Sequence, residues 1–246
     1  MRHFLFFLFG ALFFWGCQKD NNNTTTESTH SCGATDVHHP TKNYGTVQDI
    51  DGNTYKTIQI GTQTWMAENL KTTKYRNGTP IENIADNMQW QNNKSGAYCS
   101  YNNNTNNDCP YGKLYNWYAI SNSNQLCPTG WHVPTDAELT TLTTFLGGDG
   151  ANPGNKLKNT GSQFWYTEPW ESSNSADNSS GFSGLPGGNR WFGGSFGDLG
   201  DKGCLWTSTE FNTYSAWSRY LYDDIGDFGR GYSHKENGFS VRCIKD

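Results

Sequence analysis

The sequence is short of aliphatic side chains and of the motifs that mark the common enzyme classes. Hydrophobic residues make up only 34% of its 246 positions, whereas 15% of the positions are aromatic, including 10 Trp. Few aliphatic and many aromatic side chains are typical of a domain with short strands and long loops, whose core is built from large rings. The 28 glycines, together with abundant Asn, Ser and Thr, predict that turns outnumber helices.

The residues that carry metal or covalent chemistry are not arranged for it. No two of the six histidines have a His-x-x-His or His-Glu-x-x-His spacing, so zinc is unsupported. No phosphate loop is present, and the acidic residues are too scattered to name a catalytic pair. A net charge of −5 without a basic stripe argues against a nucleic-acid partner. We therefore expect no enzyme activity, no catalytic residue and no metal site.

One stretch begins like a calcium-binding loop, at Asp49, Asp51 and Asn53. Its glycine, however, stands at the fourth position rather than the sixth, and Ile60 occupies the place of the bidentate glutamate. The pair Asp51-Gly52 between two apolar runs instead predicts a β-hairpin. We expect no cofactor, and calcium is an option that no motif supports.

Residues 1–17 have the composition of a secretory signal. Arg2 precedes an apolar run at residues 4–15 that is too short to be a transmembrane helix. The box that ends in Cys17 resembles a bacterial lipoprotein signal, and residues 18–20 resemble the surface-export signal of Bacteroidetes lipoproteins. The resemblance implies that Cys17 is lipidated and that the protein is anchored in the outer membrane, facing the cell exterior. Ordinary secretion, with Cys17 incidental, is the alternative.

The remaining chain divides into a linker and a domain. Residues 18–36 are polar and low in complexity, and such a segment cannot bury enough apolar surface to offset its ordering. We therefore predict a flexible tether over residues 18–42 and a single folded domain over residues 43–246. The lipid at the N-terminus is expected to be the only contact with a membrane.

One helix is well signalled, within residues 127–148. Thr135 stands at its N-cap with Glu138 three residues on, which is the capping-box pattern. Gly147-Gly148 end the helix, because glycine adopts the left-handed C-cap conformation readily. Four residues at helical spacing form the predicted apolar stripe: Leu139, Leu142, Phe145 and Leu146.

Six cysteines remain once Cys17 is set aside, and an even number in an oxidising compartment favours disulfides. A bond between Cys127, just before the helix, and Cys243, near the C-terminus, would close a very long loop. In the chain-entropy model such a bond contributes up to roughly 4–5 kcal/mol. A local bond would hold the Asn-rich loop that two further cysteines flank. The predicted pairs are Cys127–Cys243, Cys99–Cys109 and Cys32–Cys204.

Three segments near the C-terminus are predicted to form closing antiparallel strands. Their sequences are CLWTSTE, AWSRYLYDD and ENGFSVRC. In the last of them, Phe239, Val241 and Cys243 fall on one face of the strand, and Ser240 and Arg242 fall on the other.

Five motifs, taken in order, resemble the Fibrobacter succinogenes major paralogous domain over residues 43–246. They are DIDGNTYKTIQIGTQTWMAENLKTTKY, YGKLYNWYAI, LCPTGWHVPTDAELTTL, SGFSGLPGGNR and GFSVRC. The helix and closing strand of that family are similar to those of formylglycine-generating enzymes and, more remotely, of C-type-lectin-like domains. The resemblance implies an α+β, C-type-lectin-like fold with short antiparallel strands, one or two helices and long ordered loops. It does not carry a function, because one fold hosts many functions.

A binding site has to be sought among the loop residues. Calcium-dependent lectins of the implied fold use a Glu-Pro-Asn or Gln-Pro-Asp tripeptide and a Trp-Asn-Asp, none of which is present. Sugar binding would therefore rest on exposed rings and on Asn and Asp side chains. We expect one of four loop rings to face a ligand: Trp165, Trp170, Trp191 or Phe192.

These observations favour a surface-exposed lipoprotein whose lectin-like module binds a glycan or a surface protein without catalysis. The alternative is an adhesin-type domain that contacts protein and binds no sugar. A formylglycine-generating enzyme would need a reactive cysteine pair to hold copper. The C-terminal part of the chain offers only Cys204 and Cys243, and the second is expected in a disulfide.

Overall fold

Short strands and short helices alternate along the chain in the computed structural model, which describes residues 29–160, 163–166 and 175–246. The strands are β1 (Gly45–Gln48), β2 (Thr54–Ile60), β3 (Gln63–Met66), β4 (Glu82–Asn83), β5 (Ala97–Cys99), β6 (Leu114–Tyr115), β7 (Trp131–His132), β8 (Gly187–Arg190), β9 (Phe196–Leu199), β10 (Lys202–Asn212), β11 (Ser215–Tyr222), β12 (Gly229–His234) and β13 (Ile244–Lys245). The helices are α1 (Asn87–Asn92), α2 (Asp108–Tyr111), α3 (Trp117–Ile120), α4 (Asp136–Phe145) and α5 (Pro153–Leu157).

The strands form three sheets. The first has the order β1-β2-β3-β13-β7, the second β12-β11-β10-β8-β9, and the third β4-β5-β6. Pairing is antiparallel except between β8 and β10 and between β4 and β5. The first sheet joins the two ends of the domain, because Ile244 of β13 pairs with Trp65 of β3. The architecture is a mixed α+β fold, and in this respect it agrees with the sequence-based expectation.

Large rings fill much of the interior, as the composition predicts. Four tryptophans and several tyrosine and phenylalanine rings are buried with less than 2% of their surface exposed. The tryptophans are Trp65, Trp90, Trp165 and Trp206. Large buried rings supply much apolar area for each residue, which compensates for the scarcity of leucine, isoleucine and valine.

The predicted hairpin at Asp51-Gly52 is present between β1 and β2. Asp49 organises its turn, since one carboxylate oxygen accepts the backbone N–H groups of Asp51 and Asn53, each at 2.9 Å. The other oxygen accepts the hydroxyl of Tyr55 at 2.5 Å. The side chain that begins the calcium-like pattern is therefore engaged in holding a turn.

The predicted helix is α4, and its cap is the predicted capping box. The Thr135 hydroxyl accepts the Glu138 N–H at 3.2 Å, and the Glu138 carboxylate accepts the Thr135 N–H at 2.7 Å. Leu139 and Leu142 are fully buried, but Phe145 is 62% exposed. Its place in the apolar stripe was wrong, because the ring turns outward and rests against Gly61 of the β2–β3 turn.

Two of the three predicted closing strands are β10 and β11, but the third was misplaced. The strand that pairs with β11 is β12, and residues 238–240 form only isolated bridges. The predicted alternation still holds there: Phe239, Val241 and Cys243 lie together in the core. Arg242 faces the opposite side and donates to backbone carbonyls.

The Cys127–Cys243 disulfide is present, with Cα atoms 6.0 Å apart. The other predicted pairs, Cys99–Cys109 and Cys32–Cys204, are wrong, because Cys32 is bonded to Cys109 instead. Cys99 and Cys204 are buried free thiols on β5 and β10. Each of these strands directs its cysteine into the core, away from the exposed Cys109, and burial raises the pKa of both thiols to about 12.

The predicted tether, residues 18–42, includes a segment that is part of the folded domain. Residues 29–42 pack on the domain: Val37 and His38 are buried. The Asn159 amide donates to the carbonyls of Asp36 and Val37 at 2.8 and 2.6 Å. Cys17 and residues 1–28 lie outside the described residues. Among the helices that are described, none combines the length and the apolar character needed to cross a membrane.

Candidate functional site

A groove of about 460 Å³ lies along one face of the second sheet. Alternation along the strands brings Lys202 and Cys204 of β10 to the same face as Tyr220 and Tyr222 of β11, because these residues are register partners. The aromatic lining residues are Trp191, Tyr220, Tyr222, Tyr232 and Phe239, and the polar ones include Asn189, Lys202, Arg230 and Ser233. A cavity of this size, lined by rings with a few polar groups, is typical of small-ligand sites.

Two glycines of the edge strand β12 make room for the tyrosines. A Cβ atom at Gly229 would lie 3.0 Å from the Tyr222 ring, and one at Gly231 would lie 3.1 Å from the Tyr220 ring. Both distances are shorter than ordinary carbon contacts. The rings can therefore lean across β12 only because these two positions carry no side chain.

Hydrogen bonds hold the Tyr220 ring in place. Its hydroxyl lies 2.6 Å from the Ser218 hydroxyl and 2.8 Å from the Ser233 hydroxyl. Its ring also packs edge-on against Phe239, with 6.1 Å between centroids. Burial raises the pKa of Tyr220, so the phenol is neutral at physiological pH and available as a fixed apolar surface.

The other end of the groove is polar. The Lys202 ammonium lies 5.1 Å from the centre of the Tyr222 ring and 3.5 Å from an Asp198 carboxylate oxygen. Burial alone would lower the pKa of Lys202, but Asp198 and neighbouring groups raise it overall, so the amine is charged. Asn189 donates to Asp198 at 2.6 Å, while no described residue donates to its own buried Oδ1. A hydroxyl in the groove is the kind of donor that this oxygen lacks.

Trp191 is the predicted ring that reaches the groove. It follows β8, where its N–H donates to Ser195 and its carbonyl accepts from Gly194, both at 2.8 Å. The side chain is 41% exposed, and its indole nitrogen lies over Gly197, whose added Cβ would be 3.0 Å away. The tight turn and this support fix the indole at the groove edge.

The other three predicted rings differ in position. Phe192 is 47% exposed, but it packs against His234, with 5.0 Å between centroids, and does not line the groove. Trp165 is 1% exposed, so its assignment as a ligand-facing ring was wrong. Its indole lies in the interior, with the Lys158 ammonium 5.5 Å from the ring centre. Trp170 lies outside the described residues.

The sequence analysis missed Tyr220 and Tyr222 as groove residues. The signal lay in GRGYS, where two glycines alternate with large residues. On an edge strand, such alternation leaves one face bare and opens space above the neighbouring strand.

A second polar cluster is buried beneath residues 29–42. Glu68 accepts hydrogen bonds from the Ser31 N–H at 2.7 Å and from His38 Nε2 at 2.9 Å. The Nδ1 atom of His38 lies 3.1 Å from the Ser183 hydroxyl. The hydrogen-bonded chain Ser183–His38–Glu68 has the connectivity of a nucleophile, a base and an acid in a catalytic triad. Ser183 is nevertheless 0% exposed and His38 only 3%, so no substrate reaches them in this conformation.

The charge states in this cluster follow from burial. Burial lowers the pKa of His30 to about 4 and also lowers that of His38. Burial alone would raise the pKa of Glu68, but the bonds from His38 and Ser31 and the proximity of His30 lower it to about 2. Burial lowers the pKa of Arg242 to about 9. At neutral pH the carboxylate and the guanidinium are therefore charged and the imidazoles are neutral.

His30, Cys32 and Cys109 offer ligand atoms that lie within 4.8 Å of one another. Both sulfur atoms, however, form the disulfide described above. A disulfide sulfur is not a thiolate and does not serve as a metal ligand. Cys243 is also in a disulfide and is excluded as a thiolate ligand for the same reason, whereas Cys204 is a buried free thiol.

The fold and groove define a mixed α+β domain with a ring-lined cleft on an antiparallel sheet. Residues 58–245 match the Fibrobacter succinogenes major domain, and the chain belongs to that family. No curated protein and no solved structure gives a significant match.

Proposed function

We propose that this protein is a binding module that recognises a carbohydrate in the groove beside Trp191. The observation that carries the proposal is the pairing of an exposed indole and two tyrosine rings, one of them held by hydrogen bonds, with an unpartnered amide oxygen. Aromatic faces pack against the apolar faces of sugar rings, and amide and carboxylate oxygens accept sugar hydroxyls. The sugar occupies the groove between Trp191 and Tyr222, with a hydroxyl donated to Asn189.

The proposal extends to the setting of the module. The fold is of the C-type-lectin-like type that formylglycine-generating enzymes share. The chain is a lipoprotein whose lipid is attached to Cys17. It is anchored in the outer membrane and faces the exterior. The supporting features are the signal-like residues 1–17, the export-like residues 18–20, and the long loops around short strands. The module performs no catalysis and needs no cofactor.

A matched pair of variants tests the groove. Trp191 and Phe192 are adjacent and similarly exposed, but only Trp191 lines the groove. A glycan array identifies a ligand, and calorimetry then compares Trp191→Ala with Phe192→Ala. Removing one stacking ring is expected to weaken binding by about tenfold or more in the first variant and to leave the second near wild type. Absence of any glycan signal at millimolar ligand, or equal losses in the two variants, would refute the proposal.

A second candidate function is adhesin-type protein binding without sugar. It is favoured by a solvent-facing cluster in which Phe211 stacks on Tyr232 at 4.1 Å between centroids. The Arg230 guanidinium lies 3.6 Å from the centre of the Trp217 ring in the same cluster. Trp, Tyr and Arg are the residues that most often dominate protein interfaces. Binding of surface proteins that Tyr232→Ala abolishes and Trp191→Ala spares would favour this function.

A further inference from the structure

A second cavity, of about 470 Å³, lies between helix α4 and the β11–β12 region. Thr140, Thr143 and Thr144 line it from the helix, and Arg219 and Arg230 line it from the strands. Arg219 and Arg230 are direct register partners, and they belong to the face of the sheet opposite to Tyr220. The cavity is therefore distinct from the aromatic groove, although the edge residues Gly229 and Arg230 border both.

The two arginines share one carboxylate. Asp136 accepts Nη2 of Arg219 at 2.9 Å through one oxygen and Nη2 of Arg230 at 2.7 Å through the other. Like charges directly opposite on neighbouring strands repel, and a single carboxylate neutralises only one of them. Arg219, Arg230 and Asp136 together thus carry one net positive charge, although 47% of the Arg230 side chain is exposed to solvent. Two acidic residues, Asp149 and Asp227, also line the cavity, and both are exposed at its rim.

Arg219 also has an unused donor. Only 3% of the residue is exposed, and its buried Nε–H finds no acceptor anywhere in the described part of the chain. Its Nη2 is fully engaged, with Thr140 Oγ1 at 2.7 Å in addition to Asp136. A buried charged donor without an acceptor is costly, so a cavity beside it is a place where an anionic oxygen gains a charge-assisted hydrogen bond.

The threonines present acceptors to the same space. The hydroxyls of Thr140, Thr143 and Thr144 donate back to carbonyls one helical turn earlier, at 2.8 to 2.9 Å. Because these protons are already donated within the helix, the hydroxyl oxygens can only accept further hydrogen bonds, and Thr140 already accepts one from Arg219. Together with the rim carboxylates of Asp149 and Asp227, they suit a ligand that carries several hydroxyl groups.

We propose that this cavity binds a uronic-acid residue, with its carboxylate beside Arg219 and its hydroxyls toward the threonines and the rim carboxylates. The Arg219 guanidinium supplies a donor at the inner wall, and the threonine hydroxyls and rim carboxylates supply acceptors, which matches a sugar that has one acid group and several hydroxyls. The volume accommodates a single sugar ring. The site is independent of the groove, so it does not rest on the function proposed above.

Calorimetry with glucuronate and glucose as probes tests the proposal at low ionic strength. Glucuronate is expected to bind at least about tenfold more tightly than glucose, because only its carboxylate gains the bond to Arg219. Added salt is expected to weaken the glucuronate signal. Equal affinities for the two sugars, or no saturable glucuronate binding, would overturn the proposal.

Variants of α4 locate the site without disturbing the ion network. Thr144→Leu places a branched apolar side chain in the cavity wall, whereas Thr141→Leu makes the same change at an exposed position that does not line it. The first is expected to weaken glucuronate binding about tenfold or more, and the second to leave it unchanged. Arg219→Gln is expected to abolish the preference for glucuronate. If that variant does not fold, the threonine pair still decides.

The same probes separate the two sites. Trp191→Ala is expected to leave glucuronate binding intact, because Trp191 does not line this cavity. If Trp191→Ala abolishes glucuronate binding and Thr144→Leu has no effect, the sugar sits in the aromatic groove. The uronate cavity would then be refuted while the groove proposal stands.

Discussion

We predict that the folded protein loses stability at pH values well above the pKa of its carboxyl groups. Buried His30 is the residue with which we test this prediction. In the unfolded chain an imidazole takes up its proton near pH 6.5, whereas burial delays protonation of folded His30 until its pKa of about 4. Between these values the unfolded chain binds more protons than the folded chain. The stabilising effect is therefore complete above about pH 6.5 and is lost as the pH falls toward 4.

The size of the effect follows from the shift. Lowering the pH from about 7.5 to about 5 should remove about 2 kcal/mol of folding free energy through His30 alone. His38, whose pKa burial also lowers, adds a loss of the same sign. Glu68 stays ionised in both states over most of this range, since its pKa in the folded chain is about 2. Its contribution is lost only at lower pH.

Urea unfolding followed by tryptophan fluorescence, at the two pH values and with disulfides intact, measures the effect. In His30→Asn, the Oδ1 atom can still accept the Cys32 N–H that Nδ1 accepts at 3.1 Å, but nothing titrates. The acid-induced loss should shrink by about 2 kcal/mol relative to wild type. His39→Asn, a change at a less buried position in the same segment, is the control. An undiminished loss in His30→Asn would refute the assigned burial of its neutral imidazole.

Three further changes probe the frame, each by urea unfolding. Thr135→Ala should lower the free energy of unfolding by about 1 kcal/mol because the α4 capping box is broken, and no loss would contradict that cap. Leu142→Ala should cost about 2–5 kcal/mol and Phe145→Ala less than about 1 kcal/mol, since only the leucine is buried. A larger loss for the phenylalanine would reverse the assigned burial. Replacing Cys127 and Cys243 together by Ala should cost about 4–5 kcal/mol, and a loss near zero would show that the bond does not restrain the unfolded chain.

The features that sequence analysis predicted correctly are those with a local cause. The α4 cap depends on Thr135 and Glu138, three residues apart, and the hairpin depends on Asp51-Gly52. The alternation around Val241 was also correct, although the residues are held by isolated bridges rather than a continuous strand. In each case a few adjacent residues determine the geometry, so no knowledge of the rest of the fold is needed.

The errors arose where distant residues determine the outcome. Residues 29–42 look like a linker by composition, but Glu68 supplies acceptors for Ser31 and His38, and the Cys32–Cys109 bond closes a loop of 77 residues. Polar composition signals disorder only when no buried partner awaits the polar groups. The aromatic groove could not be predicted for a similar reason, because its shape depends on which strand lies beside β11.

Buried cations explain how a chain with so much loop can be ordered at all. Loops leave backbone carbonyls without partners, and a buried carbonyl needs one. Arg190 donates to the carbonyls of Ile84, Ala85 and Gly194 at 2.5 to 2.9 Å. The Lys158 ammonium does the same for the loop after β11, where it contacts the Tyr222 carbonyl at 2.7 Å.

Each of these cations replaces the hydrogen bonds that a helix or strand would have supplied. Arg190 is 0% exposed, Lys158 is 1% exposed and Arg242 is 2% exposed. Rings cover them as well: the Arg190 guanidinium lies 4.4 Å from the centre of the Trp90 ring, and that of Arg242 lies 4.3 Å from the centre of Phe182. A guanidinium suits this role because its five donors are fixed in a plane and its weak hydration lowers the penalty of burial. Arg219 differs from these three cations, because its Nε–H meets no carbonyl in the described residues, and an unfilled donor on a buried cation argues for a ligand.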